Sequence, residues 1–449
     1  MRETDTASTS VAQRAQALLD RIATENERIR AYVTVDRAAV LREAARLDAL
    51  PAAERGPLHG MTLAVKDIID VAGLPTRAGS SFFERLPEGD APVVRALRAA
   101  GALVVGKTNT HEFAWGITTE NPHTGRTANP WNLAHSAGGS SGGSGAALAA
   151  GLADFALGTD TQGSIRIPGA LCGVSGLRPA TGSIAMDGIV PLAPGLDTVG
   201  PMAWTARDCA ILLDALAGHD PADPASVAVP RIAYARAVSA PVKGLRVGLL
   251  RRHYEREVPA APETLRMMAE ATRVLRDLGC RIGEASLPPV SEFNAVGRVI
   301  ICAEAYALHE ATLKTRLADY SRVFRIRVMA GALIRAADYI AAQRRRSDLI
   351  AQAAAAFEKF DVLVSVPTPG AAPLLTEQRP DEGFAQPFLT TLANVAAVPA
   401  LVVCGGFTAQ GLPLGIEFIG PAWAEARLLR IGHHFEHATG TRRRRPPPP

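Results

Sequence analysis

Lysine is nearly absent from this chain. Of 48 basic residues only Lys66, Lys107, Lys243, Lys314 and Lys359 are lysines. A guanidinium is effectively always protonated, whereas a buried ammonium can shed its proton. Each lysine is therefore a candidate for a task arginine cannot do. Cysteine is scarce and odd in number, with five residues at 172, 209, 280, 302 and 404 and no CxxC. Most sit in apolar runs such as Leu401-Val402-Val403-Cys404, which excludes a disulfide framework and fits buried thiols in a reducing compartment. No uncharged apolar stretch reaches the ~18 residues that a membrane-spanning helix needs. The polar, helix-like first twenty residues hold no apolar signal region, so a cytoplasmic location is expected. Neither charge sign dominates: 48 basic against 44 acidic residues leave +4. That balance gives no long-range attraction to nucleic acid or an anionic membrane.

What is there is a chain of 449 residues, 47% hydrophobic and 20% charged. Length alone allows about three domains, but a single large α/β enzyme reaches this size too. Val11, Ala15, Leu18, Leu19 and Ile22 recur at helical spacing, and Asp36 is placed to cap a second helix. Met61 to Val65 and Leu103 to Val105 read as buried strands flanking a helix that starts near Asp90 and Pro92. Strand and helix alternate again from Leu245 onward, with buried strands at 360–366, 400–403 and 414–419 and a closing helix over 423–438. Residues 218–243 read as a long surface connection. The alternation predicts an α/β fold, a sheet covered by helices. One domain is expected over 1–441. The Arg442 to Pro449 tail, which cannot bury apolar surface, is expected to be disordered.

The most unusual stretch is Gly138-Gly139-Ser140-Ser141-Gly142-Gly143. Such a tract is either a flexible linker or a tight loop. It runs straight into an apolar small-residue helix, which favours the loop. A second tract, Gly158 to Arg166, places Ser164 just before a helix start, where backbone N–H groups point at a developing anion. Taken alone, Ser164 would be an ordinary helix cap.

Together with Val65-Lys66-Asp67-Ile68 these tracts resemble the amidase signature family. Gly106-Lys107-Thr108-Asn109, Asn129-Pro130-Trp131, Gly176-Leu177-Arg178-Pro179 and Leu196 to Pro201 continue the likeness, which resumes near Pro367 and over 411–420. The resemblance implies an α/β fold with a large mixed β-sheet covered by helices on both faces, and an amidase, a hydrolase acting on linear amide C–N bonds, with a Ser–Ser–Lys triad. In it Ser164 is the nucleophile that carries the acyl group. Ser140, on an unusual cis peptide, relays the proton, and Lys66 is the neutral base. It also implies an oxyanion hole from the N–H groups of Thr161, Gln162, Gly163 and Ser164, supported by Ser141, Asp160 and Arg166. Two positions depart from the family pattern: Gln162 where a glycine is common, and Arg178 where lysine is usual.

The chemistry is coherent. A serine hydroxyl needs a base to become nucleophilic, and a lysine with a free pKa of about 10.4 must be buried away from carboxylates to serve. Asp67 adjoins Lys66, but on a strand the two side chains point to opposite faces. No cofactor is implied, and the partner expected is a small-molecule amide substrate, with a homodimer the one self-assembly envisaged. Two alternatives share the same core. One is a carboxybiuret- or allophanate-type ureide hydrolase, suggested by Thr161 to Ser164 and by Tyr339 to Arg344. The other is the glutaminase subunit of a tRNA-dependent amidotransferase, which would need partner chains. Pocket walls are expected from 111–135, 185–196 and 295–345.

Three other motifs invite different chemistry. Gly101 to Thr108 matches a phosphate-binding loop letter for letter, yet its middle residues read as strand rather than exposed loop. His433 to His437 matches a zinc pattern without room downstream for a usual third ligand. Gly139 to Gly143 fits a nucleophile elbow, but Asn132 to Ala137 does not read as the strand that motif requires.

Overall fold

The computed structural model describes residues 9–229, 232–375 and 387–447. Among them, eleven strands form one mixed sheet. In chain order these are β1 (Tyr32–Thr34), β2 (Thr62–Lys66), β3 (Leu103–Thr108), β4 (Phe155–Thr159), β5 (Ser175–Arg178) and β6 (Val199–Ala203), then β7 (Arg246–Leu249), β8 (Arg281–Glu284), β9 (Val362–Ser365), β10 (Ala400–Phe407) and β11 (Pro413–Ile419). Their spatial order is β1-β3-β2-β4-β6-β5-β10-β11-β9-β7-β8. Strand β2 runs parallel to β3 and β4, and β9 and β8 run parallel to β7; the remaining pairs are antiparallel. Every residue of β2, β3 and β4 is buried. That explains their near-continuous apolar sequence, since both sheet faces carry helices. The edge strands are only three and four residues long, which limits the unpaired backbone they present.

The expected elements form for the expected reasons. The first two helices are Val11–Ile29 and Arg37–Asp48, and the Asp36 carboxylate caps the second by accepting from the Ala39 N–H. The helix Pro92–Ala99 has Ala91 at its cap position, because the Asp90 carboxylate accepts from the Ala72 N–H and pairs with Arg98 instead. Pro168 lies in the first turn of the Arg166–Leu171 helix, where a missing N–H costs nothing. All five cysteines are free and buried. Among the described residues, no helix is long and apolar enough to cross a membrane.

Two expectations need correction. Asn132–Ser136 is a strand after all, but it pairs with Ala128–Asn129 in a separate small ribbon and not in the main sheet. The start of the tail does not hang free, since guanidinium planes stack on aromatic faces. Arg442 Nη1 donates to the Trp204 and Gly173 carbonyls, Arg445 lies 3.5 Å from the centroid of the Trp204 ring, and Arg444 covers Phe407. Residues 448–449 of that tail lie outside the described residues.

The Ser/Gly tract starts a helix earlier than its composition indicates, at Gly142, and this helix (Gly142–Ala149) is buried throughout. Within the tract, Gly143 allows the closest approach to backbone atoms. A Cβ there would lie 2.4 Å from Asn109 N and 2.5 Å from Ala31 O. Gly143→Ala gains about 1 kcal/mol of helix propensity, but the overpacking is expected to cost about 3 kcal/mol. Chemical denaturation should show a net loss of stability, and an unchanged midpoint would contradict the close packing.

Candidate active site

Lys66 ends β2 and Thr159 ends β4, so two neighbouring parallel strands deliver their last residues to one place. The carboxyl ends of parallel strands are where α/β sheets build sites. Lys66 is fully buried, with Nζ 2.8 Å from Ser140 Oγ and 2.8 Å from Thr159 Oγ1. The pleat sends Asp67 to the other face, where it lies 3.3 Å from Lys107 Nζ. Lys66 therefore keeps hydroxyl partners and no contacting carboxylate among the described residues. Burial lowers its pKa to about 7, against the opposing fields of Asp197 and Asp160.

Ser140 follows a cis peptide bond from Gly139. Its carbonyl accepts from Thr119 Oγ1 at 3.2 Å and from the His111 N–H at 3.3 Å. Ser141 Oγ donates to the Thr159 carbonyl, and Ser144 Oγ donates to the Leu157 carbonyl, so the tract is bolted along β4. The Ser141 N–H donates to the Ser164 carbonyl at 3.2 Å, which draws the two serine-bearing loops together. This is a rigid loop and not a linker.

The Ser164 loop is organised from inside by Asp160. Its carboxylate accepts from the Gly163 N–H at 2.8 Å, the Ile165 N–H at 3.2 Å, Asn394 Nδ2 at 2.9 Å and two Arg166 nitrogens. Arg166 also reaches Glu417 at 2.6 Å and the carbonyl of Thr390 at 2.8 Å. Burial alone would raise the Asp160 pKa, yet Arg166 beside it and Arg178 nearby hold it well below the usual carboxylate range. Arg178, in the place where lysine is usual, donates to Thr198 Oγ1 at 2.6 Å and to the Asp160 carbonyl at 3.2 Å.

These contacts revise one expectation. The Gly163 N–H faces Asp160 and is not open to a ligand. Among the described residues, the N–H groups of Thr161, Gln162 and Ser164 carry no protein hydrogen bond. The Thr161 hydroxyl donates to Asp197, whose carboxylate also accepts from the Leu192 and Ala193 N–H groups. Burial raises Asp197 to about 6. The Gln162 carbonyl accepts from Thr390 Oγ1 at 2.6 Å.

Ser164, 7% exposed, opens onto a narrow cavity of about 30 Å³. Its walls include Trp115 and Ile117, Leu192, and Arg298, Ile301 and Arg327, one group from each of the three expected segments, joined by Phe388. A much larger cavity of about 750 Å³ lies between the first helix and the start of the tail, with Trp204 and Arg445 on its walls and none of Lys66, Ser140 and Ser164. Size therefore does not identify the reactive site here.

Lys107 lies within β3, buried against Asp67 and Thr76 Oγ1. The phosphate-loop match is thus a strand. Glu436 of the zinc-like motif accepts from Ser175 Oγ and the Ala206 N–H, which ties the closing helix to the sheet. Sequence reasoning missed the parts played by Thr159, Asn394 and Glu417. Thr159 stood unremarked inside the Gly158 to Arg166 tract, whereas Asn394 and Glu417 come from distant elements and nothing local marks them. Asp197 stood inside a quoted motif without a role.

The amidase family model matches residues 14–429. A glutamyl-tRNA(Gln) amidotransferase subunit from Roseiflexus castenholzii is 39% identical over 461 positions, covering 96% of this chain and 93% of that protein. A solved complex, described as vestigial and as revealing the evolutionary origins of an s-triazine catabolic enzyme, matches with TM-score 0.89 and 33% identity over 96% of each chain. The native peptide amidase of Stenotrophomonas maltophilia matches with TM-score 0.84 and 33% identity over 98% of each. With these likenesses and a mixed sheet of the same build, the chain belongs to the amidase signature family.

Proposed function

We propose that this chain hydrolyses an amide C–N bond through an acyl-enzyme on Ser164. The observation that carries the reading is the 2.8 Å contact between buried Lys66 Nζ and Ser140 Oγ, with no carboxylate among the described residues in contact with the amine. With a pKa of about 7, about three-quarters of the lysine is neutral at pH 7.5, against about one in a thousand for a free side chain. Neutral Lys66 takes the Ser140 proton while Ser140 takes that of Ser164, and Ser164 Oγ attacks the carbonyl carbon. The developing oxyanion meets the N–H groups of Thr161, Gln162 and Ser164, each worth about 3–4 kcal/mol in the transition state. As the C–N bond breaks, Lys66 returns its proton through Ser140 to the departing nitrogen, which leaves neutral. A water molecule repeats the sequence on the acyl group.

A second reading is carried by the curated relatives. Their name favours a protein that releases ammonia from an amide for a partner over a free-standing amidase. Both readings need the same C–N hydrolysis at Ser164. They separate on glutamine. A member of an amidotransferase complex should release ammonia from glutamine with a co-purifying partner and poorly without one, whereas a free-standing amidase should turn over its amide as the purified chain alone.

Ser164→Ala is expected to lower kcat by about 10⁴-fold or more. A fluorophosphonate should label Ser164 in the parent chain, and mass spectrometry placing the label elsewhere would reassign the nucleophile. Because the working form of Lys66 is the deprotonated one, kcat/KM should rise with pH through about 7 and flatten above it. Lys66→Ala should lower the rate about 10²–10⁴-fold and remove that limb. A limb near pH 10 in the parent enzyme would count against a buried neutral base.

A further inference from the structure

The Ser164 loop separates the work of its backbone from that of its side chains. Gly163 takes the positive φ of the loop, +118°, so position 162 keeps an ordinary backbone that carries a side chain without strain. The Gln162 carbonyl accepts from Thr390 Oγ1 at 2.6 Å, and its N–H carries no protein hydrogen bond among the described residues. Neither role uses the side chain. That side chain lines the narrow cavity beside Ser164. It also lies against Gly297 of the helix Val290–Arg316. A Cβ on Gly297 would stand 3.1 Å from Gln162 Nε2 and 2.9 Å from Thr391 Cγ2. Glycine weakens a helix interior, and here it leaves the room in which the glutamine lies. The space that remains is about 30 Å³, with Leu192, Ile301 and Phe388 on its walls.

The other polar side chains of that wall are engaged. The Thr161 hydroxyl donates to Asp197. Trp115, Arg298 and Arg327 have interactions of their own within the protein. The Gln162 side-chain amide has no hydrogen-bond partner among the described residues. An amide in a confined site is costly to leave unmet. It presents a donor and an acceptor side by side, the complement of a second carboxamide or of a ureido group.

We propose that the Gln162 side chain decides which acyl groups reach Ser164. Its bulk confines them to short ones, and its amide hydrogen-bonds a carboxamide or ureido group that they carry. This role rests on the proposed hydrolysis at Ser164 and names what that hydrolysis accepts.

Ammonia release by the purified full chain is compared on propionamide and hexanamide, and on malonamide and 3-methylbutanamide, which are alike in shape. The parent should favour propionamide and malonamide. Gln162→Ala should raise kcat/KM for hexanamide relative to propionamide by about 30-fold, the worth of two to three methylenes newly admitted. Gln162→Met keeps the bulk and removes the amide. It should leave the length ratio near that of the parent and lower the malonamide ratio about fivefold. Ratios are the readout because the 162 N–H also serves the oxyanion, and a general loss of rate cancels in them. Where turnover is slow, Ser164 labelling by P-methyl and P-butyl fluorophosphonates gives the first comparison, and protection by the two branched amides gives the second. A parent that favours hexanamide would overturn the inference, as would an unmoved length ratio in Gln162→Ala or an unmoved malonamide ratio in Gln162→Met. If Ser164 is labelled while those ratios stay flat, only the part given to Gln162 falls. If no amide is hydrolysed and Ser164 is not labelled, the hydrolysis itself falls with it.

Discussion

A lysine amine buried against hydroxyls, with acids in reach but none in contact among the described residues, is the constraint around which this molecule is organised. The folded pKa of Lys66, about 7, lies below the ordinary 10.5. The unfolded chain therefore binds the extra proton between those two values. Stability contributed through this group is lowest below pH 7 and recovers as pH rises toward 10.5. At neutral pH the burial opposes folding on the order of 4 kcal/mol before its hydrogen bonds are counted. A sheet-end site with a large apolar core around it can carry such a term. The surroundings then have one recurring task, to keep carboxylates off the amine. The pleat of β2 turns Asp67 toward Lys107, three backbone and side-chain donors occupy Asp197, and Arg166 occupies Asp160.

The Asp160–Arg166–Glu417 cluster shows the cost of that task and its return. Its three charges are fully buried, and two acids share one guanidinium. Such clusters add little net stability over a well-packed apolar core, although removing a single member leaves an uncompensated charge and costs about 3–5 kcal/mol. What the cluster supplies is position. Through Asn394 and the Thr390 carbonyl, Arg166 ties the Ser164 loop to a helix more than two hundred residues away. Through Asp160 it fixes which N–H groups of that loop face inward. The Gly163 N–H is held by Asp160, while those of Thr161, Gln162 and Ser164 carry no protein hydrogen bond among the described residues.

This division also explains which parts of the site were legible in the sequence. Lys66 stood out because the chain spends arginine almost everywhere else, and the opposite facing of Asp67 followed from strand geometry alone. The Ser/Gly tract read as a loop because it ran into an apolar helix. The extra turn of that helix, from Gly142, was hidden because glycine composition argues against helix while tertiary contact decides it. The loss of Gly163 as an open donor was equally hidden, since it depends on where Asp160 swings its carboxylate. Asn394, on the helix Thr391–Val395, and Glu417, on β11, carried no local signal, since only tertiary packing brings them beside the Ser164 loop. The short ribbon at Asn132–Ser136 went unread because its side chains are half-exposed and too few to show a period.

The reacting groups and much of the cavity wall come from different layers of the fold. Lys66, Thr159 and the two serine loops hang from adjacent strands of the sheet, whose pairing leaves little freedom to move them. Trp115, Arg298 and Arg327 come from a loop and two helices laid over those strand ends, where a side chain can change without disturbing the register beneath. Lys66 below them is shifted toward its neutral form by burial, against the opposing fields of Asp197 and Asp160.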